Sequence, residues 1–252
     1  MKVFQRGEGD PELAVVGSVH GDEPVGKKAI KKLLQQEIEF QKPVEFVIAN
    51  EKALKIGKRF VDTDLNRSFP GDSQSHKHEE RLASRLLDRL EGLKVLDIHS
   101  THSYGRPFAT CTSFEGQQME IIEASGVDKA VKFSEDVRTL ANYVDGVVVE
   151  AGYQSSDKAV ENALGVIRNF LAYFGAIERE HQESEVDFFV EHEKVEGDWD
   201  FVAENFKQVQ KGEVYARRDD EELVAEERFC PVLMSTNGYN GVLGHKASKV
   251  MK

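Results

Sequence analysis

The sequence is poor in cysteine, with only Cys111 and Cys230 in 252 residues. Neither belongs to a C-x-x-C pair, so no thiolate metal or redox motif is available, and two free thiols in a reducing compartment are expected. No run of about 18 apolar residues occurs, so no membrane-crossing helix is expected. The opening MKVFQRGEGDPELAVV lacks the apolar core of a secretory signal. Basic residues are in deficit, 33 Lys and Arg against 45 Asp and Glu, for a formal net charge of -12. That balance argues against a nucleic-acid partner and against an anionic membrane surface. Internal repeats and low-complexity tracts are also lacking. A cytoplasmic globular protein is expected, with 40% hydrophobic and 31% charged residues. The length suits one large domain, alone or with a small appendage.

What is present is an alternation of strands and helices. Leu13 to Gly17 reads as an apolar strand. Pro24 suits a first helical turn, and Val25 to Glu39 carries Ala29, Ile30, Leu33 and Leu34 at helical spacing. VEFVIAN (44–50) is a second strand, HEERLASRLLDRLEG (78–92) an amphipathic helix closed by Gly92, and LKVLDIHS (93–100) a third strand. GQQMEIIEASGVDKAV (116–131) suggests a further helix, and TCTSFEGQQ (110–118) a loop near the strand ends. GVVVEAG (146–152) is a fourth strand, followed by a long helix over 156–177 with Ser156 or Asp157 as its cap. Strands that are apolar throughout imply an α/β sheet covered on both faces, here over residues 1–177. EREHQESE (178–185) reads as a linker. VDFFVEH, GEVYARR and CPVLMS then predict a small β-rich domain over 178–252.

The strand ends carry the chemistry. The first runs into His20 and Glu23, the third into Asp97, His99 and Ser100, and the fourth ends at Glu150. Open α/β sheets build sites beyond the carboxyl ends of their strands. Two imidazoles and one carboxylate would leave a Zn²⁺ ion an open position for water, and a second carboxylate could act as base. The H-x-x-E spacing of His20 and Glu23 alone also fits a surface turn. His99, following a buried strand, favours the metal. The helical H-E-x-x-H signature is absent, so the ion would sit on loops. In KRFVDTDLNRSFPG, Asn66 and Arg67 suit a carboxylate, which Arg grips bidentately. The same segment also reads as a loop laced by Arg–Asp ion pairs. His76 and His78 read as a solvated helix start, His102 as a loop histidine near the site, and Trp199 as packing in the tail. His181, His192 and His245 have no usable partner spacing.

Together GSVHGDEPVG, RFVDTDLNRSFPG, LDIHSTHS and VVVEAGYQ resemble the succinylglutamate desuccinylase/aspartoacylase family, within the zinc carboxypeptidase fold. The four motifs follow the family's order, with Arg59 seven residues before Asn66. The resemblance implies a mixed sheet flanked by helices and a β-rich tail. It implies one Zn²⁺ per chain on His20, Glu23 and His99, with Glu150 as general base and then acid. It gives Arg59 the scissile carbonyl and oxyanion, gives Asn66 and Arg67 the carboxylate of the amino-acid part, and has Asp62 and Asp64 orient the arginines. Tyr239 in CPVLMSTNGYNGVLG matches a pocket tyrosine. Arg138 is the nearest arginine ahead of Glu150 for an acyl carboxylate. The implied reaction is removal of the acyl group from a small N-acyl amino acid, and the family also allows a homodimer. A carboxypeptidase trimming peptides and a metal-binding module without turnover are the alternatives.

Overall fold

The computed structural model describes residues 1–134, 139–238 and 241–251. Along the chain lie β1 (Lys2–Arg6), β2 (Leu13–Gly17), α1 (Val25–Leu34), β3 (Val44–Ile48), α2 (Glu51–Ile56), α3 (His78–Leu90) and β4 (Lys94–Thr101). Next come β5 (Phe108–Cys111), α4 (Gly116–Ser125), β6 (Lys129–Lys132), β7 (Asp145–Tyr153) and α5 (Asp157–Tyr173). The tail supplies β8 (Asp187–Glu196), β9 (Asp200–Phe201), β10 (Val214–Arg218), β11 (Glu221–Val224), β12 (Cys230–Val232) and β13 (Val242–Val250).

Among the described residues, ten strands form one mixed sheet, in the order β1-β3-β2-β4-β7-β5-β6-β8-β13-β12. The apolar strands β3, β2, β4 and β7 at its centre run parallel to one another. They have no polar face because both faces are covered. Helices α1, α4 and α5 pack their apolar faces on one side, around Ile30, Ile121 and Phe170. On the other side α3 buries Leu82, Leu86 and Leu90 against Val16, Val47 and Val95. A separate sheet, β11-β10-β9, lies in the tail. The α/β architecture with a β-rich tail is the one the sequence implies.

Four local expectations change. Helix α1 ends at Leu34 rather than Glu39. Beyond it, Ile38 and Phe40 reach the same core from irregular backbone, and Phe40 bridges Ile177. The segment 116–131 is a helix only to Ser125, because Gly126 takes a left-handed cap at φ 69° and the chain leaves as β6. The supposed loop 110–118 begins inside β5. The strands β8, β13 and β12 of the tail extend the main sheet, through parallel pairing of β8 with β6.

Gly17 and Gly26 set how closely α1 lies on the sheet. A Cβ on Gly17 would approach the Gly26 backbone to 2.8 Å, so neither position has room for a side chain. Both cysteines are buried free thiols, as expected. No helix among the described residues is long and apolar enough to cross a membrane.

Candidate metal centre and active site

The turn after β2 brings His20 and Glu23 together. Ser18 adopts a left-handed conformation, φ 59°, and its Oγ donates to the Glu23 carbonyl at 3.0 Å. A non-glycine residue held there is strain that the surrounding fold must impose. Gly21 packs against the backbone of Ala53 and Leu54, and its N–H donates to the Arg59 carbonyl at 3.0 Å. The loop carrying Arg59 is thereby joined to the loop carrying His20. Just beyond β7, Gln154 Nε2 donates to the Asp22 carbonyl at 2.7 Å.

His20, Glu23 and His99 are buried, with 2%, 3% and 4% exposure. One ligand atom from each lies within 4.8 Å of the others. Glu23 is the hub. Its Oε1 is 2.9 Å from His20 Nδ1, and its Oε2 is 3.1 Å from His99 Nδ1. The outer nitrogens also have carboxylate partners. His20 Nε2 is 3.1 Å from Asp64 Oδ1, and His99 Nε2 is 3.0 Å from Asp97 Oδ2. A carboxylate behind each imidazole is the arrangement that orients metal-bound histidines, so these residues fit a divalent cation with nitrogen and oxygen preference. Among the described residues this is the one such cluster.

The charges are tightly matched. Burial would raise the Glu23 pKa, but His20 and His99 outweigh it and hold it well below the usual carboxylate range. Burial would likewise lower the two imidazoles. Glu23 with Asp64 raises His20 instead, and Asp97 with Glu23 raises His99. Arg59 donates from Nη1 to Glu23 Oε1 at 3.1 Å and from Nε to Asp64 Oδ2 at 3.0 Å.

Glu150 pairs directly with His99 in the parallel register of β4 and β7. Burial raises its carboxyl to about 7, with Glu23 adding to the effect against His99, His20 and Arg59. Its Oε2 is buried without a hydrogen-bond partner among the described residues. A carboxyl balanced between its two protonation states near neutrality is suited to proton transfer.

A cavity of about 780 Å³ opens over these groups, and Arg59, Asn66, Arg67 and Glu150 also line it. Asp64 caps the 3₁₀ turn Leu65–Arg67 by accepting from Asn66 N at 2.8 Å. Asn66 is buried, and its Oδ1 accepts from Leu140 N at 3.4 Å. Arg67 Nη1 donates to the Asn66 carbonyl at 3.0 Å. His102 lines the cavity as well. Arg138 and Tyr239 lie outside the described residues.

Two expectations about this loop are corrected. Asp64 orients an arginine, Arg59, and also His20, whereas Asp62 accepts the His78 backbone N–H at 2.6 Å at the start of α3. His78 is buried rather than solvated, with Nε2 at 3.3 Å from Asn50 Oδ1, while His76 is exposed as expected. The residue that sequence reasoning missed is Glu79. Fully buried, it accepts the backbone N–H groups of Val61, Asp62 and Thr63 at 2.7, 2.9 and 3.2 Å. It thereby shapes the loop between Arg59 and Asn66. Its sequence signal was a glutamate in the first turn of an amphipathic helix, which is ordinary on a helix surface.

Residues 9–167 match the family model described as the succinylglutamate desuccinylase/aspartoacylase catalytic domain. The chain belongs to the succinylglutamate desuccinylase/aspartoacylase family. A "probable aspartoacylase" of Acaryochloris marina is 35% identical over 103 residues, which are 36% of this chain and 35% of that relative. The chain thus aligns with about a third of that protein's length. A succinylglutamate desuccinylase of Shewanella putrefaciens is 25% identical over 265 aligned positions, covering 88% of this chain and 77% of the relative. In fold, the family member resembles the crystal structure of a succinylglutamate desuccinylase/aspartoacylase from Rhodobacter sphaeroides. The TM-score is 0.81 at 18% identity, over 99% of this chain and 89% of the other.

Proposed function

We propose that this protein is a metal-dependent amidohydrolase that splits an N-acyl amino acid into a carboxylic acid and a free amino acid. The observation that carries the reading is the register of His99 with Glu150, which sets a carboxyl raised to about 7 beside the His20, Glu23 and His99 donors. Membership of the family supports it, as do the relatives named aspartoacylase and desuccinylase.

His20, Glu23 and His99 would hold one Zn²⁺. When bound, such an ion supplies a Lewis acid and lowers the pKa of water. Glu150 takes a proton from the attacking water and delivers it to the leaving amine nitrogen. The Arg59 guanidinium, anchored by Glu23 and Asp64, stabilises charge growing on the carbonyl oxygen. Asn66 and Arg67 hold the carboxylate of the amino-acid part.

The test is release of free amino acid from a panel of N-acyl amino acids by zinc-loaded protein, with C-terminally free peptides alongside. Release from an acyl amino acid that a chelator abolishes is expected. Release from peptides alone would move the protein to the carboxypeptidases. Tight zinc binding with no hydrolysis of any kind would leave a binding module.

A further inference from the structure

The cavity extends well beyond the Glu23 cluster. Its lining continues across the sheet from β4 and β7, past Thr110 on β5, to Phe133, Lys194 on β8 and His245 on β13. His245 plays no part in the chemistry above, yet its ring is held on two sides. Nδ1 lies 3.2 Å from Glu191 Oε1, and Phe133 meets the ring edge-on with centroids 5.0 Å apart.

The strand register builds this pair. His245 pairs with Lys194, and Ala247 pairs with Glu191, because an extra residue in β8 shifts the register between Lys246 and Ala247. Paired residues share a sheet face, and so do residues two apart on one strand. The shift therefore puts Glu191 on the face of His245, where an unbroken ladder would put it on the opposite one. Such bulges commonly re-aim side chains beside sites.

The chemistry of the pair is definite. A carboxylate only accepts, so Nδ1–H donates to Glu191, and in the neutral ring Nε2 is left as an acceptor. Nε2 has no hydrogen-bond partner among the described residues. Burial lowers the pKa of this ring, Lys194 and Arg67 act with it, and Glu191 offsets them only in part, so the imidazole is neutral near pH 7. Lys194, its register partner, lines the same cavity, and among the described residues its ammonium donates in an ion pair to the exposed Glu196, a contact worth little in water. An acceptor next to a donor matches a carboxamide or peptide unit, which offers one N–H and one carbonyl. At Nε2 itself a carboxylate has no proton to offer, whereas an amide N–H donates to it.

We propose that His245, positioned by Glu191, is a specificity-determining residue that with Lys194 selects substrates carrying a neutral amide group remote from the scissile bond. The proposal rests on the deacylase reading. Its test compares N-acetylglutamine with N-acetylglutamate, and succinamyl-glutamate with succinyl-glutamate, in zinc-loaded protein. In at least one pair the amide is expected to give about tenfold higher kcat/KM, the scale of one buried hydrogen bond made or left unpaired. His245→Phe should bring that ratio close to one, and His245→Lys should turn it towards the acid. Glu191→Leu, which removes the acceptor and frees the ring, should reduce it and serves if His245→Phe folds poorly. Preference for the acid in both pairs, or an unchanged ratio in the variants, would overturn the proposal. Calorimetric binding of the same compounds reads the subsite without turnover. Tighter binding of the amide, lost in His245→Phe but with no hydrolysis, would overturn the deacylase reading and leave the subsite standing.

Discussion

Glu23 accepts from two imidazoles, one guanidinium and the backbone N–H of Ser100, all within 3.2 Å. In the metal-free protein His20 and His99 consequently bind protons above the ordinary imidazole value of 6.5. A group whose folded pKa is raised stabilises the fold below its unfolded value, and that contribution is lost as pH rises through the folded value. Glu150 works in the same direction between 4.5 and about 7, a span worth about 3 kcal/mol. Glu23 and Asp64, held low, act only at more acidic pH. His78 and His245, whose pKa values burial lowers, act the other way below 6.5, so the melting temperature of chelator-stripped protein should fall as pH rises from about 6.5 to about 8. A rise over that window would sink the charge assignment. Metal binding competes with these protons, so calorimetric titration with Zn²⁺ in buffers of different ionisation enthalpy should count more than one proton released near pH 7. Glu150→Ala removes the proton carrier and leaves His20, Glu23 and His99 intact. Turnover is expected to fall by about 10²- to 10⁴-fold at unchanged zinc content. Near-normal turnover would exclude Glu150 as the base.

At the scale of elements, the site depends on how α2, α3 and the Arg59 loop are joined. Asn50 caps α2 by accepting from Ala53 N at 3.2 Å and donates to Glu79 Oε1 at 3.0 Å. Glu79 in turn gathers three backbone N–H groups from the loop. Removing a buried acceptor leaves donors unsatisfied, so Glu79→Ala should cost about 2–4 kcal/mol. The loop also carries Arg59, Asn66 and Arg67, so KM should rise along with the loss in kcat, and Glu79→Gln should recover part of both. Denaturant melts and steady-state kinetics check this, and stability within about 0.5 kcal/mol of the parent would contradict it. None of this joint was legible in the sequence, because it depends on contacts between separate elements. What was legible follows the same division. The strands β2, β3, β4 and β7 announced themselves by unbroken apolar runs, and His20, Glu23, His99 and Glu150 by standing at or just beyond their ends. Edge strand β1 is half exposed, and β5 and β6 have four residues each, too few to show a period. Their identity comes from pairing partners elsewhere in the chain. The pair of Glu191 and His245, 54 residues apart, is hidden for the same reason.

For the whole molecule, the question is whether the stretch after Ile177 is an appendage or part of the frame. The sheet passes across that point, since β6 pairs with β8 through Lys129–Asp187 and Lys132–Val190. The packing passes across it too. Phe206 sits among Tyr104, Phe108 and Phe189 with ring centroids 4.8, 5.0 and 5.2 Å away. Asn205 Nδ2 donates to the carbonyls of Ser103 and Met234 at 2.9 and 2.8 Å, tying the tail to the loop after β4. A chain cut after residue 177 would lose β8 from the edge of β6 and expose Phe108 and Val131, which are fully buried in the intact protein. An unpaired apolar strand edge is a template for aggregation. Residues 1–177 expressed alone are therefore expected in the insoluble fraction, whereas excising only the β10–β11 hairpin, Val214 to Val224, which leaves Asn205 and Phe206 in place, should leave a larger soluble fraction. A soluble 1–177 fragment with a single cooperative melt would mean that the division at 177/178 separates two independently folding units. In that case the far wall of the cavity, with Lys194 and His245, would be a module added to a self-sufficient catalytic half.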